Sequence, residues 1–341
     1  MDADLQLEDV AAMLAAAGLP APQRFVALRG GANNRVYRVE GGAGPALVKA
    51  YFRHPADPRD RLGAEFAFCC FAWDRGIRCL PRPLACDRQR NLGLYEFIKG
   101  RGLRPGEVAQ GHVEQAVEFY RELNRHVTDP AAAALPRASE ACFTLHEHLA
   151  CVERRIERLL HLDDRSPLDR EASLLVQTAL DPAWKQVRNR VLAEASGSGL
   201  AVDEPLPREA KRLSPSDFGF HNAILGTDGR LRFIDFEYAG WDDPAKTICD
   251  FLCQPAVPVP GECADRFARA LVSDLSQPAW HLRRVALLRD VYRIKWCCIL
   301  LNDFVPVDRQ RRLYAQDVGA EEGRKRAQIE KVGRALRKIR Q

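Results

Sequence analysis

Residues 214 to 235 constrain this chain more than any other stretch: Ser-Pro-Ser-Asp-Phe-Gly-Phe-His-Asn, then Ala-Ile-Leu-Gly-Thr-Asp-Gly-Arg-Leu-Arg-Phe-Ile-Asp. Two short apolar runs, Ala223 to Leu225 and Leu231 to Ile234, flank Thr227-Asp228-Gly229, whose Asp-Gly pair is a β-hairpin signal. In an antiparallel pair the residue entering the first strand lies beside the residue leaving the second, with backbones roughly 5 Å apart. Asn222 and Asp235 are therefore expected to converge at one end of the hairpin, with Asp217 in the loop beside them. Two carboxylates and an amide oxygen gathered at one point can hold Mg²⁺ and leave one carboxylate free as a base.

At 341 residues the chain exceeds one typical domain, so two lobes are expected. A hydrophobic content of 46% can fill a sizeable core, and 28% charged residues fit a globular protein. The net charge of +5 is localised. Residues 309–341 carry 11 Lys/Arg against 4 Asp/Glu, which leaves 40 against 42 in the rest of the chain. The main body is close to neutral, so no nucleic-acid partner is expected. The 11 cysteines lie in apolar, helix-like runs without a Cys-x-x-Cys pair, and no signal-peptide pattern precedes them. Reduced, buried thiols and a cytoplasmic location are the expectation. No apolar run approaches the roughly 20 residues that span a bilayer.

Along the chain, Leu5 to Ala17 reads as a short amphipathic helix ending near Gly18. Strands follow at Phe25–Leu28, Val36–Val39 and Ala46–Tyr51. Asp57-Pro58 opens a helix running to about Arg75, and strands recur near Leu84–Cys86 and Leu92–Ile98. Lys99-Gly-Arg-Gly102 and Pro105-Gly106 punctuate the chain, and beyond them the texture is mostly helical. Leu149, Val152, Ile156 and Leu159 keep a helical period, as do Val285, Leu288, Val291 and Ile294. Ser196–Pro207 reads as a loop.

Singly, the N-terminal signals are weak. Gly30-Gly31 reads as a hairpin turn, Lys49 as a snorkelling lysine and Glu65 as a solvated helix residue. Their order adds weight. A glycine-rich turn, a strand lysine and then a helical glutamate form the set that covers phosphates with backbone N–H groups and holds a cation on them.

With these residues in place the chain resembles the aminoglycoside phosphotransferase and choline kinase-like family of small-molecule kinases, from about Phe25 to Phe304. The anchors are Arg29-Gly-Gly-Ala-Asn-Asn34, Leu47-Val-Lys49, Glu65, Leu94-Tyr-Glu-Phe-Ile-Lys-Gly100, Asp217-x4-Asn222 and Phe233-Ile-Asp-Phe-Glu-Tyr-Ala-Gly240. The resemblance implies an α+β, bilobal protein-kinase-like fold. A small antiparallel-sheet N-terminal lobe would occupy residues 1–98 and a larger, mainly helical lobe residues 99–341. It implies ATP and Mg²⁺ as cofactors and a small-molecule hydroxyl as acceptor. Asp217 would accept or orient the proton of the acceptor hydroxyl, and Asn222 and Asp235 would hold Mg²⁺. Gly30, Gly31, Asn33 and Asn34 would lie in the loop over the phosphates. Lys49 would contact the α/β-phosphates and be positioned by Glu65. The Glu96 carbonyl and the Ile98 N–H would bracket the adenine edge.

Departures from the family pattern fall on the loop's supports. Pro215 stands where the family has His, and Thr247 where it commonly has a second Asp, with Asp243 or Asp250 as possible stand-ins. Gly219 stands where protein kinases have Lys, and no Ala-Pro-Glu follows Asp235, which favours a small acceptor. The acceptor pocket is expected around residues 131–212, with Glu237, Tyr238, Trp241 and Asp243 as candidates. Asp242-Asp243-Pro244 also reads as a helix start. In the basic tail, Ile329, Val332, Leu336 and Ile339 predict an amphipathic helix packed on the second lobe. The alternatives are a non-catalytic nucleotide-binding pseudokinase or scaffold, and a protein kinase.

Overall fold

The computed structural model describes Leu5 and residues 7–28, 34–41, 44–55, 57–306 and 321–339. Gly30, Gly31 and Asn33 lie outside the described residues, as does the first part of the basic tail.

The N-terminal part is a five-stranded antiparallel sheet in the order β1-β2-β3-β5-β4. Its strands are β1 (Arg24–Leu28), β2 (Arg35–Glu40), β3 (Ala46–Ala50), β4 (Pro83–Asp87) and β5 (Leu92–Glu96). Strand alternation gives β3 two faces. Ala46, Val48 and Ala50 join Leu92 and Leu94 in a small core capped by Val10, Met13 and Leu14 of helix α1 (Leu7–Ala16). Leu47 and Lys49 point the other way, towards helix α2 (Arg61–Asp74). That helix starts later than Asp57-Pro58 suggests. Asp60 caps it by accepting the Gly63 N–H at 2.8 Å, while Asp57 is drawn into ion pairs with Arg59 and Arg61.

The second part is mainly helical: α3 (Gln110–Asn124), α4 (Pro130–Ala133), α5 (Leu145–Leu159), α6 (Pro167–Leu175), α7 (Asp181–Gly197), α8 (Pro244–Cys253), α9 (Gly261–Val272), α10 (Pro278–Leu300) and α11 (Glu321–Ile339). Helix α7 carries on through Ser196 and Gly197, two residues into the stretch that reads as a loop. Thr144 and Glu147 close a reciprocal capping box at the start of α5. Helix α10 buries residues on every side, from His281 and Arg284 through Val291 to Cys298, and forms the axis of this part. Ile329, Val332, Leu336 and Ile339 of α11 join the same core, as their spacing predicts. Among the described residues no helix is long and apolar enough to cross a membrane. All 11 cysteines are free thiols, and only Cys86 is exposed.

Three short strands, β6 (Arg101–Gly102), β8 (Ala223–Leu225) and β9 (Leu231–Phe233), form a second sheet. Strand β7 (Arg212–Ser214) pairs with β10 (Gly240–Asp242). These two small sheets carry the segment from 214 to 240 across the junction with the N-terminal part.

Candidate active site

The expected hairpin is present. Ala223 pairs with Phe233, and the Ile234 N–H donates to the Asn222 carbonyl at 2.9 Å, which carries the pairing to the doorstep of Asp235. Its connection spans residues 226–230, longer than a two-residue turn. Asp228 accepts the Arg230 N–H at 3.1 Å, and Gly229 takes a positive φ of 75°.

Aromatic anchors fix the polar residues from behind. Phe218 and Phe220 flank the loop after Asp217, and Phe233 and Phe236 flank Asp235; all four are buried. Phe233 stacks on Phe119 of α3 at 5.0 Å, and Phe218 meets Phe251 of α8 at 4.8 Å. With the neighbouring aromatic side chains driven into the core, the Asp217 and Asp235 carboxylates are left partly open, each side chain 30% exposed. Asp235 itself has φ 69°, a left-handed conformation that costs a non-glycine residue about 1–3 kcal/mol.

Lys49 reaches this end of the hairpin from β3. Its Nζ lies 2.7 Å from Glu65 Oε2 and also pairs with Asp235 Oδ1. Glu65 is held in turn by the Tyr51 hydroxyl at 2.8 Å, and Tyr51 shares a hydrogen bond with the Tyr95 hydroxyl. Gly93 makes room for that arrangement, since a Cβ there would sit 2.6 Å from the Tyr95 ring. Burial alone would lower the Lys49 pKa, but Asp235, Glu65 and Glu237 outweigh it and raise it. Burial pushes the Asp235 carboxyl up. Lys49 opposes that shift while Glu237 and Glu65 add to it, and the carboxyl reaches about 7. On Asp235 burial and the neighbouring acids act in the same direction, whereas on Lys49 they oppose each other and the acids win.

Across the hairpin end, Asn222 Nδ2 donates to the Asp217 carbonyl at 2.9 Å and to Asp217 Oδ2 at 3.1 Å. Its amide oxygen is thereby turned away from Asp217. His221 Nε2 lies 3.1 Å from Asp217 Oδ1. Burial would raise the Asp217 carboxyl, but His221 and Asn222 outweigh it and hold it below the usual range, so Asp217 is a carboxylate.

Asn34 and the expected acceptor-pocket residues are engaged with other residues of the protein. Asn34 faces inward: its Nδ2 donates to Glu237 Oε2 at 2.6 Å and its Oδ1 accepts the Phe52 N–H at 3.3 Å. Its side chain is thus spent inside the protein. Glu237 does not line an acceptor pocket, being 1% exposed and tied also to Arg61 at 3.1 Å. Asp243 caps α8 by accepting the Ala245 N–H at 2.7 Å and pairs with Arg284 and His148. The Tyr238 hydroxyl meets Arg61, and Trp241 Nε1 donates to the Ala132 carbonyl. Glu96 ends β5, its N–H donating to the Arg82 carbonyl at 2.8 Å, and Ile98 lies two residues beyond in the link to β6. Arg61, Tyr51 and His221 belong to the site without having been singled out from sequence. Arg61 stands four residues before Glu65, one helical turn away on the same face, and that spacing is a usable signal.

The loop's supports also differ from expectation. Thr247 Oγ1 donates to Ser214 Oγ at 2.9 Å, and the same oxygen accepts the Ser216 N–H at 3.0 Å. Asp250 instead holds Lys295, at 2.8 Å.

A family model described as the phosphotransferase enzyme family (APH) matches residues 24–288, well over half of the chain. The chain belongs to that family. Among solved structures, it is similar to a choline/ethanolamine kinase family protein from Mesorhizobium loti, with a TM-score of 0.57 and 19% identity over 98% of both chains. It is similar to a spectinomycin phosphotransferase crystallised with ADP and spectinomycin, with a TM-score of 0.63 and 11% identity over 98% of this chain and 99% of the other. A choline kinase from Streptococcus pneumoniae matches with a TM-score of 0.54 and 16% identity over 92% and 94%. No curated protein sequence matches. This phosphotransferase thus has the protein-kinase-like fold expected from its sequence, with a small antiparallel sheet and a larger helical part.

Proposed function

We propose that this phosphotransferase moves the γ-phosphate of ATP, with Mg²⁺, to a hydroxyl of a small molecule. The observation that carries the reading is Lys49, clamped between Glu65 and Asp235, with Asp235 at the same hairpin end as the Asp217–Asn222 pair. The ADP in the spectinomycin enzyme's crystal supports a nucleotide here. We place the boundary between the lobes at residues 98 and 99, so that the nucleotide lies where they meet.

The residues fit a divalent cation. Around Lys49, three cations (Lys49, Arg59 and Arg61) face four carboxylates (Glu65, Asp235, Glu237 and Asp57), and the carboxyl that carries the surplus is the one open to solvent. Asp235 and the Asn222 amide oxygen would hold Mg²⁺, hard oxygen donors for a hard ion. When bound, the ion neutralises charge on the phosphates. Lys49 would bind the α/β-phosphates, fixed in direction by Glu65. Gly30, Gly31 and Asn33 would cover the phosphates with backbone N–H groups, and Asn34 would anchor that loop to Glu237. The Glu96 carbonyl and the Ile98 N–H would take the adenine edge. Asp217, an ionised carboxylate, would accept the proton of the attacking hydroxyl, a role worth about 10²–10⁴-fold. The rest of the catalysis is positioning.

Amino-alcohols such as choline, sugars, nucleosides and aminoglycoside-like alcohols are the acceptor classes, held near residues 131–212. The enzyme would act in the cytoplasm, beside ATP and a reducing thiol pool. A coupled ATP-consumption screen across these alcohols tests the reading, with Asp217→Asn as its control. Wild type should consume ATP with at least one acceptor, and the variant should bind ATP yet lose nearly all turnover. Near wild-type turnover by Asp217→Asn would remove Asp217 as the base. ATP binding without turnover for any acceptor would support the scaffold alternative, and labelled phosphate in protein would support a protein kinase.

A further inference from the structure

We propose that His221 is a positioning residue that fixes the carboxylate plane of Asp217, and that Gly219 is the residue that makes room for it. This deepens the reading of Asp217 as the base and rests on it.

The last torsion of an aspartate is soft and broadly populated. A base that must meet one hydroxyl at hydrogen-bond distance needs that torsion fixed. Here both carboxylate oxygens are held: Oδ1 by His221 Nε2 and Oδ2 by Asn222 Nδ2, each at 3.1 Å. The support comes from the C-terminal side of the loop. On the other side Pro215 has no donor to offer, and Ser214 Oγ is engaged with the Ser216 N–H and Thr247.

The ring is itself held. A short 3₁₀ turn, Phe220–Asn222, folds His221 back over the loop four residues after Asp217. Its edge meets Trp296 of α10, with centroids 6.1 Å apart and planes at 85°, which ties the base to the central helix. Gly219 supplies the space. A Cβ there would lie 2.7 Å from His221 Nδ1 and 2.8 Å from Cε1. At φ 174° the Gly219 backbone is extended, which any residue can adopt, so the requirement is room and not conformational freedom.

The test uses the full chain with Mg²⁺-ATP and water as the acceptor, with ATP affinity read separately by calorimetry. His221→Ala should lower kcat about 10–100-fold, the scale of a misplacement of roughly 1 Å, with the Kd for ATP unchanged. His221→Gln, which keeps an N–H donor, should recover most of that loss. Gly219→Ala should match His221→Ala, and the double variant should be no worse than either single one, because both remove the same contact. The proposal is overturned if His221→Ala keeps wild-type kcat or if Gln is no better than Ala. Multiplying effects in the double variant, or ATP affinity and Tm falling together with kcat, would overturn it as well. Asp217→Asn separates the two levels. If that variant turns over normally the base reading itself falls, whereas an inactive Asp217→Asn beside a fully active His221→Ala removes only the role of His221.

Discussion

Lys49 and Lys246 are both buried lysines held between carboxylates, and the balance of charge around them differs. Lys246, in the helical core, lies 2.7 Å from Asp242 and 3.3 Å from Asp250, and Asp250 is shared with Lys295. Beside them Asp243 pairs with Arg284 and His148. Each acid there has a cation, and Asp242 and Asp243 are 0% exposed. Around Lys49 the acids outnumber the cations, and Asp235 remains open to solvent at one side. A closed, balanced network can only hold helices together, and breaking it leaves a charge stranded in the core. An open, unbalanced one has room for a cationic ligand, and the proposed site rests on that difference.

Substitutions on the two sides should separate turnover from stability. The largest effect belongs to Asp217→Asn, expected to lose about 10²–10⁴-fold in kcat with Tm and ATP affinity retained. Initial-rate kinetics beside a thermal melt check this, and a parallel loss of Tm would erase the contrast. Asp243→Asn keeps a side chain able to cap α8 but strands Arg284. It should cost about 3–5 kcal/mol of stability in a denaturant melt, while the protein that remains folded binds ATP normally.

The same carboxyl gives the contrast a pH signature. Burial alone would raise Asp243, but Arg284 and His148 outweigh it and hold it well below the usual carboxylate range. Its stabilising contribution is therefore present above the unfolded-state pKa, near 3.8, and lost as pH falls below it. Asp243→Asn should flatten the acid limb of the stability profile, and an unchanged limb would contradict the pairing. The smallest effect is expected from Thr247→Val, which removes one hydroxyl from the Ser214 node. It should cost about 1 kcal/mol and leave kcat within a few fold, since the Ser216 N–H still meets Ser214.

The sheet, the hairpin and the pairing of Lys49 with Glu65 were legible because each follows from a local pattern: strand alternation, an Asp-Gly turn, and a strand lysine followed by a helical glutamate. The start of α8 was legible for the same reason, since Asp243-Pro244 carries its own cap. What could not be read joins residues distant in sequence. Glu237 meets Asn34 across 203 positions and Arg61 across 176. No local pattern marks either pair, so Glu237 reads as a pocket residue and Asn34 as a phosphate contact. Asp57-Pro58 misleads in the opposite way. It looks like a helix start, but tertiary pairing with Arg61 claims the aspartate and leaves Asp60 to cap. His221 is a single histidine in a loop, and its ring gains a fixed place from contacts that include Trp296 of α10, 75 positions away.

The acid surplus at Asp235 is the most direct point of test. Isothermal titration of ATP into wild type and Asp235→Asn, each with and without Mg²⁺, measures whether that surplus serves a metal–nucleotide complex. Wild type should bind ATP more tightly with Mg²⁺, and Asp235→Asn should lose that gain while remaining folded. An Mg²⁺ effect of the same size in both proteins would contradict the account.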